Sequence, residues 1–290
     1  MNMQRLKSTL STGGAHLGDL IFWTLADARI DRGTLERLWV DAGLGLDLLP
    51  DPPTAEKAIK LAVREAQVGQ RERLLRLGKE DDEEVVFCVV HERRDDAGNV
   101  TFNQEARIRL DRQRELLTSD HDSHDMVCAV RTAFQVFKTT HTPDDVRRGI
   151  VKAIGTWAAV TLRESGGVYF IASPFAENLR RLQTAIEKVG ASRLHLLPVH
   201  DSPDAARSLG EIAKGSIEAE LAALQTEISA FVASPPDRAS TLLRRFDAFE
   251  ALRGRARLYR SVLNIQVQDL DQQLNQMSAT VEGLVNAKAA

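Results

Sequence analysis

Residues 84–110, "EVVFCVVHERRDDAGNVTFNQEARIRL", decide the fold class. The first part is a continuous β-branched and aromatic run, the pattern of a strand buried on both faces. "DDAGN" (95–99) reads as a turn. The second part alternates: Val100, Phe102, Ala106, Ile108 and Leu110 share one face, and polar residues hold most of the other. The stretch predicts an antiparallel hairpin with a half-exposed second strand.

Short elements flank this hairpin. "LIFWTL" (20–25) is a strand. Asp31 caps a helix through about Ala42, which Gly43 ends in the left-handed conformation. "LLPDPP" is a turn, and Thr54 caps a second helix whose face is Ala58, Leu61, Ala62 and Ala66. Downstream, Val127, Val130, Phe134 and Phe137 recur at helical spacing. In "HTPDDVRRGIVKAIGTWAAVTL", Thr142 is the cap, Pro143 the first helical residue, and Asp144 and Asp145 suit the positive end of the dipole. From Gly166 the order is strand "GGVYFIA", a helix starting at Ser173–Pro174 and ending at Gly190, strand "SRLHLLPV", and a long helix from Ser202–Pro203 to about Ala233. That order predicts a βαβ crossover with a parallel strand pair.

The remaining chain reads as helix alone. Ile217, Leu221, Leu224, Ile228 and Phe231 repeat at gaps of four and three, "ASPPDR" interrupts, and a second helix follows. Its seam, Leu263, Val267, Leu270, Leu274, Met277, Val281 and Leu284, keeps the four–three spacing of a coiled coil. The first helix spans roughly 44 Å and the second roughly 75 Å at 1.5 Å per residue. In an antiparallel hairpin Ala205 lies near residue 265, which leaves Val267–Leu284 without a partner from the first helix. An apolar seam of that length does not stay solvated. It therefore packs along the α/β part or pairs with another chain. Charge supports the second option: Leu242–Arg260 carries Arg244, Arg245, Arg253, Arg255, Arg257 and Arg260, whereas Asn264–Asn286 carries Asp269, Asp271 and Glu282 and no basic residue.

The predicted fold class is α+β: a mixed sheet with a hairpin and a βαβ unit, then a long antiparallel helical (coiled-coil) hairpin. The expected domains are residues 1–200, α/β, and 201–290, helical. The bulk properties agree with a globular chain. It has 290 residues, 43% hydrophobic and 27% charged, with a net charge of −3. A mildly acidic whole argues against a dedicated nucleic-acid binder, which carries a broad basic face. Cys88 and Cys128 lie in apolar runs outside any CxxC and read as buried free thiols of a reducing compartment. The first twenty residues hold no signal-peptide core, and no run approaches the ~20 apolar residues of a membrane span. A cytoplasmic protein without membrane association is expected.

The chemistry-bearing candidates are sparse. "SDHDSHD" (119–125) places His121 and His124 three apart, and "HD" recurs at His200–Asp201, at the end of a strand where open α/β folds place sites. HD-type metal-dependent phosphohydrolases use a histidine, a helical His-Asp pair and a later aspartate. Here the first pairs lie in a loop, where Asp120, Asp122 or Ser123 serves equally as a helix cap. A metal-dependent phosphate-handling enzyme using His121, His124 and His200 is therefore an alternative rather than the leading reading, and no cofactor is expected. "STGGAHLGD" lacks the Gly-Lys-Ser/Thr of a P-loop, and no GxGxxG or GxSxG is present. The Arg244–Arg260 helix offers a second alternative, contact with nucleic-acid phosphates.

The segments "LIFWTLADARIDRGTLERLWVDAGLGLDLLPDPPTAEKA" and "GGVYFIASPFAENLRRLQTAIEKVGASRLHLLPVHDS" resemble a family of bacterial and phage-associated proteins grouped as a domain of unknown function. The resemblance implies an α/β front and a helical tail, and no catalytic residues. The resulting expectation is a non-enzymatic interaction protein that associates with itself or with a protein partner through its C-terminal helices.

Overall fold

The structure is a computed structural model that describes residues 15–94, 98–163, 166–234, 236 and 239–289. The expected turn tip at 95–97, Pro235 and the first four residues of "STGGAHLGD" lie outside the described residues. The described elements are β1 (His16–Thr24), β2 (Ile30–Asp31), α1 (Arg32–Asp41), α2 (Ala55–Gln67), β3 (Arg73–Glu80), β4 (Glu84–Arg94), β5 (Val100–Asp111), β6 (Leu116–Ser119), α3 (Asp125–Thr139), β7 (Thr140–His141), α4 (Pro143–Thr156), β8 (Val160–Thr161), β9 (Tyr169–Ala172), α5 (Ala176–Ile186), β10 (Arg193–His200), α6 (Pro203–Ala233), α7 (Ala239–Leu263) and α8 (Leu270–Ala289). The fold is α+β, as the sequence predicts.

The compact units do not follow the expected split at residue 200. A terminal unit holds the chain up to Thr24, Val151–Glu187 and Arg193–Ala290, and a central unit holds Leu25–Ile150 and Lys188–Ser192. The reason is strand pairing. β1, from the start of the chain, lies between β9 and β10 in a sheet of order β10-β1-β9-β8. Both neighbours run antiparallel to β1, so β9–α5–β10 is a βαβ crossover whose parallel strands are separated by β1. The crossover joins parallel strands as expected, but they do not pair with each other: the pairings of the described strands are antiparallel.

In the terminal unit the C-terminal helices pack with this sheet. Leu17, Phe170 and Ala172 join Leu209, Ile217, Leu221, Leu252 and Tyr259 in one apolar cluster. The buried Tyr259 donates its hydroxyl proton to the Ala158 carbonyl at 2.6 Å. The expected single long second arm is two helices. Asn264 (φ 53°) and Asp269 (φ 55°) adopt the left-handed conformation and break it; their short polar side chains tolerate that region better than most. α8 then contacts both α6 and α7. The link lies close to α6, where a Cβ added at Gly210 would come within 3.1 Å of Ile265.

The central unit is a four-stranded antiparallel meander, β3-β4-β5-β6, with α2 and α3 on one face. Val85, Phe87 and Val89 of β4 and Ala106, Ile108 and Leu110 of β5 form the inner layer, against Ala58, Ile59 and Ala62 of α2 and Val127, Val130, Phe134 and Phe137 of α3. The capping side chains were legible. Asp31 accepts from the Thr34 amide at 3.1 Å, and Thr54 from the Lys57 amide at 3.2 Å. Thr142 and Asp145 form a reciprocal cap, with the Asp145 carboxylate accepting from the Thr142 amide at 2.9 Å and hydroxyl at 2.8 Å.

Two expectations for the hairpin are corrected. The inner side of β4 is buried, but on its outer side Cys88 and Val90 are half-buried. The five apolar residues of β5 also do not share a face. Val89 pairs with Ala106 and Val90 with Gln104, so Glu105 is an extra residue, a β-bulge that reverses the alternation. Ala106, Ile108 and Leu110 face the helices, while Val100 and Phe102 are exposed. Cys88 and Cys128 are free as expected, but Cys128 is exposed rather than buried.

Candidate functional site

The bulge that exposes Phe102 also turns the Glu105 carboxylate toward the helix-bearing face, at the border of the core. There it accepts from Arg73 Nε at 2.9 Å, His91 Nδ1 at 3.0 Å and His124 Nε2 at 3.0 Å. Hydrogen bonds from His124, Arg73 and His91 outweigh burial and hold its carboxyl down to about 2. His124 is also the cap of α3: its Nδ1 accepts from the Met126 amide at 3.2 Å. The Nδ1 lone pair is thus occupied, and Nε2 carries the proton donated to Glu105. The histidine pair is therefore explained by a helix cap and a carboxylate anchor, a role the sequence reading gave to Asp120, Asp122 or Ser123.

The other histidines of the metal alternative are placed differently. The His121 ring is exposed and lies edge-on to His124 at 5.5 Å. His200 belongs to the terminal unit, on β10, with its ring 6.0 Å from that of His16. No group of three or more histidine, cysteine, aspartate or glutamate side chains is arranged to hold a metal ion among the described residues.

The seam residues lie inside the chain's own helical core. Leu263, Val267, Leu270, Leu274, Met277 and Val281 are buried there, and Leu284 packs against them half-buried. The apolar stripe is already covered by α6 and α7, so it does not require a second chain. The arginines split into two groups. Arg245 pairs with Glu227 at 2.6 Å and lies over the Phe231 ring, Arg253 pairs with Glu250 and Asp271, and Arg255 pairs with Glu220. Arg244, Arg257 and Arg260 are exposed. The opposite charges of α7 and α8, which sequence reading assigned to self-association, meet within the chain through Arg253 and Asp271.

The surface that sequence reasoning missed is the outer face of the β3-β4-β5-β6 sheet. Register aligns its residues in rows. Arg76, Cys88 and Arg107 form one row, Lys79, Val86, Arg109 and Thr118 the next, and Leu74, Val90 and Gln104 a third. Beyond these, Glu92 pairs with Phe102, and Arg94 with Val100. Phe102 is 63% exposed, and Leu116, at the opposite end of the face, is 53% exposed. Charge is distributed unevenly along the strands. The Phe102 end carries the exposed Arg94 with Glu92 on this face, and Arg93 on the helix-bearing side, around a cleft of about 550 Å³ that also includes Arg71, Glu72 and His91. The Leu116 end carries Asp111 and the exposed Asp82 and Glu83. Glu84, in the same row as Asp111 and Leu116, bonds Lys79 at 2.8 Å and Arg109 at 2.8 Å.

The family described as "Family of unknown function (DUF6744)" matches residues 16–290, nearly the whole chain. The chain belongs to DUF6744. Comparison with curated proteins and with solved structures found no match. The match extends from the start of β1 to the chain end, so it takes in the terminal and central units together. No helix among the described residues of this DUF6744 chain is long and apolar enough to cross a membrane.

Only the β-bulge stood between the sequence and this surface. Without it, Val100 and Phe102 read as core, and the outer face loses two of its exposed apolar residues. The one available signal was Gln104, a polar residue at the even position between Phe102 and Ala106 where the alternation calls for an apolar one.

Proposed function

We propose that this DUF6744 chain is an interaction protein that associates with a second copy of itself through the outer face of its central sheet. The carrying observation is self-complementarity. One end of the face joins Phe102 and Val100 to Arg94 and Glu92, and the other joins Leu116 to Asp111, Asp82 and Glu83. When two such faces meet with their strands antiparallel, Phe102 and Arg94 of each copy lie over Leu116 and Asp111 of the other, as an isologous two-fold contact requires. Aromatic and arginine side chains are also the types enriched where interfaces gain most of their affinity.

The available area supports the reading. Four strands spaced about 4.8 Å apart and about eight residues long present roughly 500 Å² per copy. Pairing two faces removes about 1,000 Å², the lower bound for a specific contact, so a reversible dimer is expected rather than an obligate one. The C-terminal helices lack an equivalent free stripe, because their seam is covered within the chain.

The test is molar mass by light scattering after size exclusion, across concentration and salt, for wild type and Phe102→Asp. Phe102 is exposed, so the substitution leaves the fold intact by circular dichroism. Wild type is expected to shift toward dimer as concentration rises, less so in high salt, and Phe102→Asp to remain monomeric. A wild type that stays monomeric at its solubility limit, or a dimer indifferent to Phe102→Asp, rejects the reading.

A further inference from the structure

The terminal unit contains a cleft of about 500 Å³ between α6, α7, the end of α4 and the segment that follows it. That volume is within the range of small-molecule sites. Its apolar walls include Phe175 and Leu258, and two glycines leave it open: a Cβ added at Gly155 or Gly254 meets nothing within 4 Å. Gly254 is notable because it sits inside α7, where glycine costs helix stability relative to alanine. Open space is what that glycine provides.

One end of the cleft is charged. Arg255 is 17% exposed and ion-paired with Glu220. Its guanidinium is not fully served, since Nε is buried and donates to no partner. Burial also lowers its affinity for the proton. An arginine offers five donors in a planar fork, and one carboxylate engages only part of them. The wall behind it is fixed, because Tyr259, one turn along α7, bonds the Ala158 carbonyl.

We infer that this cleft binds a small monocarboxylate with a flat apolar body, its carboxylate on Arg255 beside Glu220 and its body over Gly155 and Gly254 against Phe175 and Leu258. A dianion is disfavoured because Glu220 already supplies one negative charge. A neutral ligand leaves the guanidinium as under-served as it is without one. This site does not involve the sheet face of the central unit.

Phenylacetate is the probe, followed by saturation-transfer NMR and a chemical-shift titration of the full chain. A ligand of that size is expected to bind with a Kd of order 1 mM. Phenylacetamide, equal in shape but uncharged, is expected to bind at least about tenfold more weakly. Gly254→Leu fills the cleft while keeping Arg255 in the chain and favours the helix, so it should abolish binding while the melting temperature is kept or raised. Absent saturation transfer to wild type, equal binding of the amide, or unchanged binding by Gly254→Leu would each overturn the inference.

Discussion

Replacing Glu105 with glutamine tests whether the bulge and its carboxylate organise the central unit. Three donors converge on this side chain, and they are not equal. Arg73 is 41% exposed, so its ion pair adds less than about 1 kcal/mol. His91 and His124 are 16% and 9% exposed, and each donates to a charged acceptor. Such bonds contribute about 1.5 kcal/mol apiece at the lower end of their range. Glutamine retains one acceptor oxygen, so about half of the histidine contribution survives. The expected destabilisation of Glu105→Gln is therefore about 2 kcal/mol, read as a lower urea midpoint at neutral pH. The pH dependence is a second readout. The folded-state carboxyl of Glu105 is held down to about 2, below its ordinary 4.5. Its stabilisation is thus fully present above the unfolded-state value, and is lost as pH falls from about 4.5 toward about 2. Wild type should lose stability more steeply than Glu105→Gln across that window. Hydrogen exchange at the Met126 and Cys128 amides, at the start of α3, should quicken in the variant because the His124 cap loses its anchor. An unchanged midpoint together with an unchanged slope below pH 4.5 would show that the three donors are surface pairs of no consequence.

Other expectations follow from burial and backbone. Leu274 is fully buried among α6, α7 and α8, so Leu274→Ala should cost about 2–5 kcal/mol in chemical denaturation without changing molar mass; a loss of association with intact stability would return the seam to a role between chains. Stopping the chain after Gln266 should expose the facing sides of α6 and α7 and yield a poorly soluble protein, assayed by recovery from size exclusion. Tyr259→Phe leaves the Ala158 carbonyl without its donor and should cost about 1–2 kcal/mol, measured by calorimetry. Asn264→Gly should be neutral or slightly stabilising and Asn264→Val destabilising by more than about 1 kcal/mol, because the residue's φ of 53° suits glycine and opposes a β-branched side chain.

The elements themselves were legible wherever a local rule fixes them. Asp31, Thr54 and Ser202 each accept the amide bond that a capping side chain should. The alternation of Ala106, Ile108 and Leu110 marks the buried side of β5, and the spacing of Ile217, Leu221, Leu224 and Ile228 marks the buried side of α6. These rules act within one element. What they do not carry is which strand lies next to which. β1 enters between β9 and β10 from more than 140 residues away, and no spacing in "LIFWTL" announces that insertion.

The two misread surfaces share a physical cause: a pattern that persists in the sequence after the geometry beneath it has changed. On β5 the apolar residues from Val100 to Leu110 keep even numbers with only Gln104 interrupting, yet the extra residue at Glu105 moves Val100 and Phe102 to the other face. In the helical end, the four–three spacing passes from Leu263 through Val267 to Leu270 although Asn264–Asp269 is not helical. Val267 is buried from within the link, so the spacing survives as a list of core positions and not as one helical stripe. In both places an acidic or amide side chain stands at the point of change: Glu105 at the bulge, and Asn264 and Asp269 at the helix break. The first misreading hid an exposed apolar and basic face, and the second suggested a free seam. Correcting both together moves the proposed contact between copies from α8 to the central sheet.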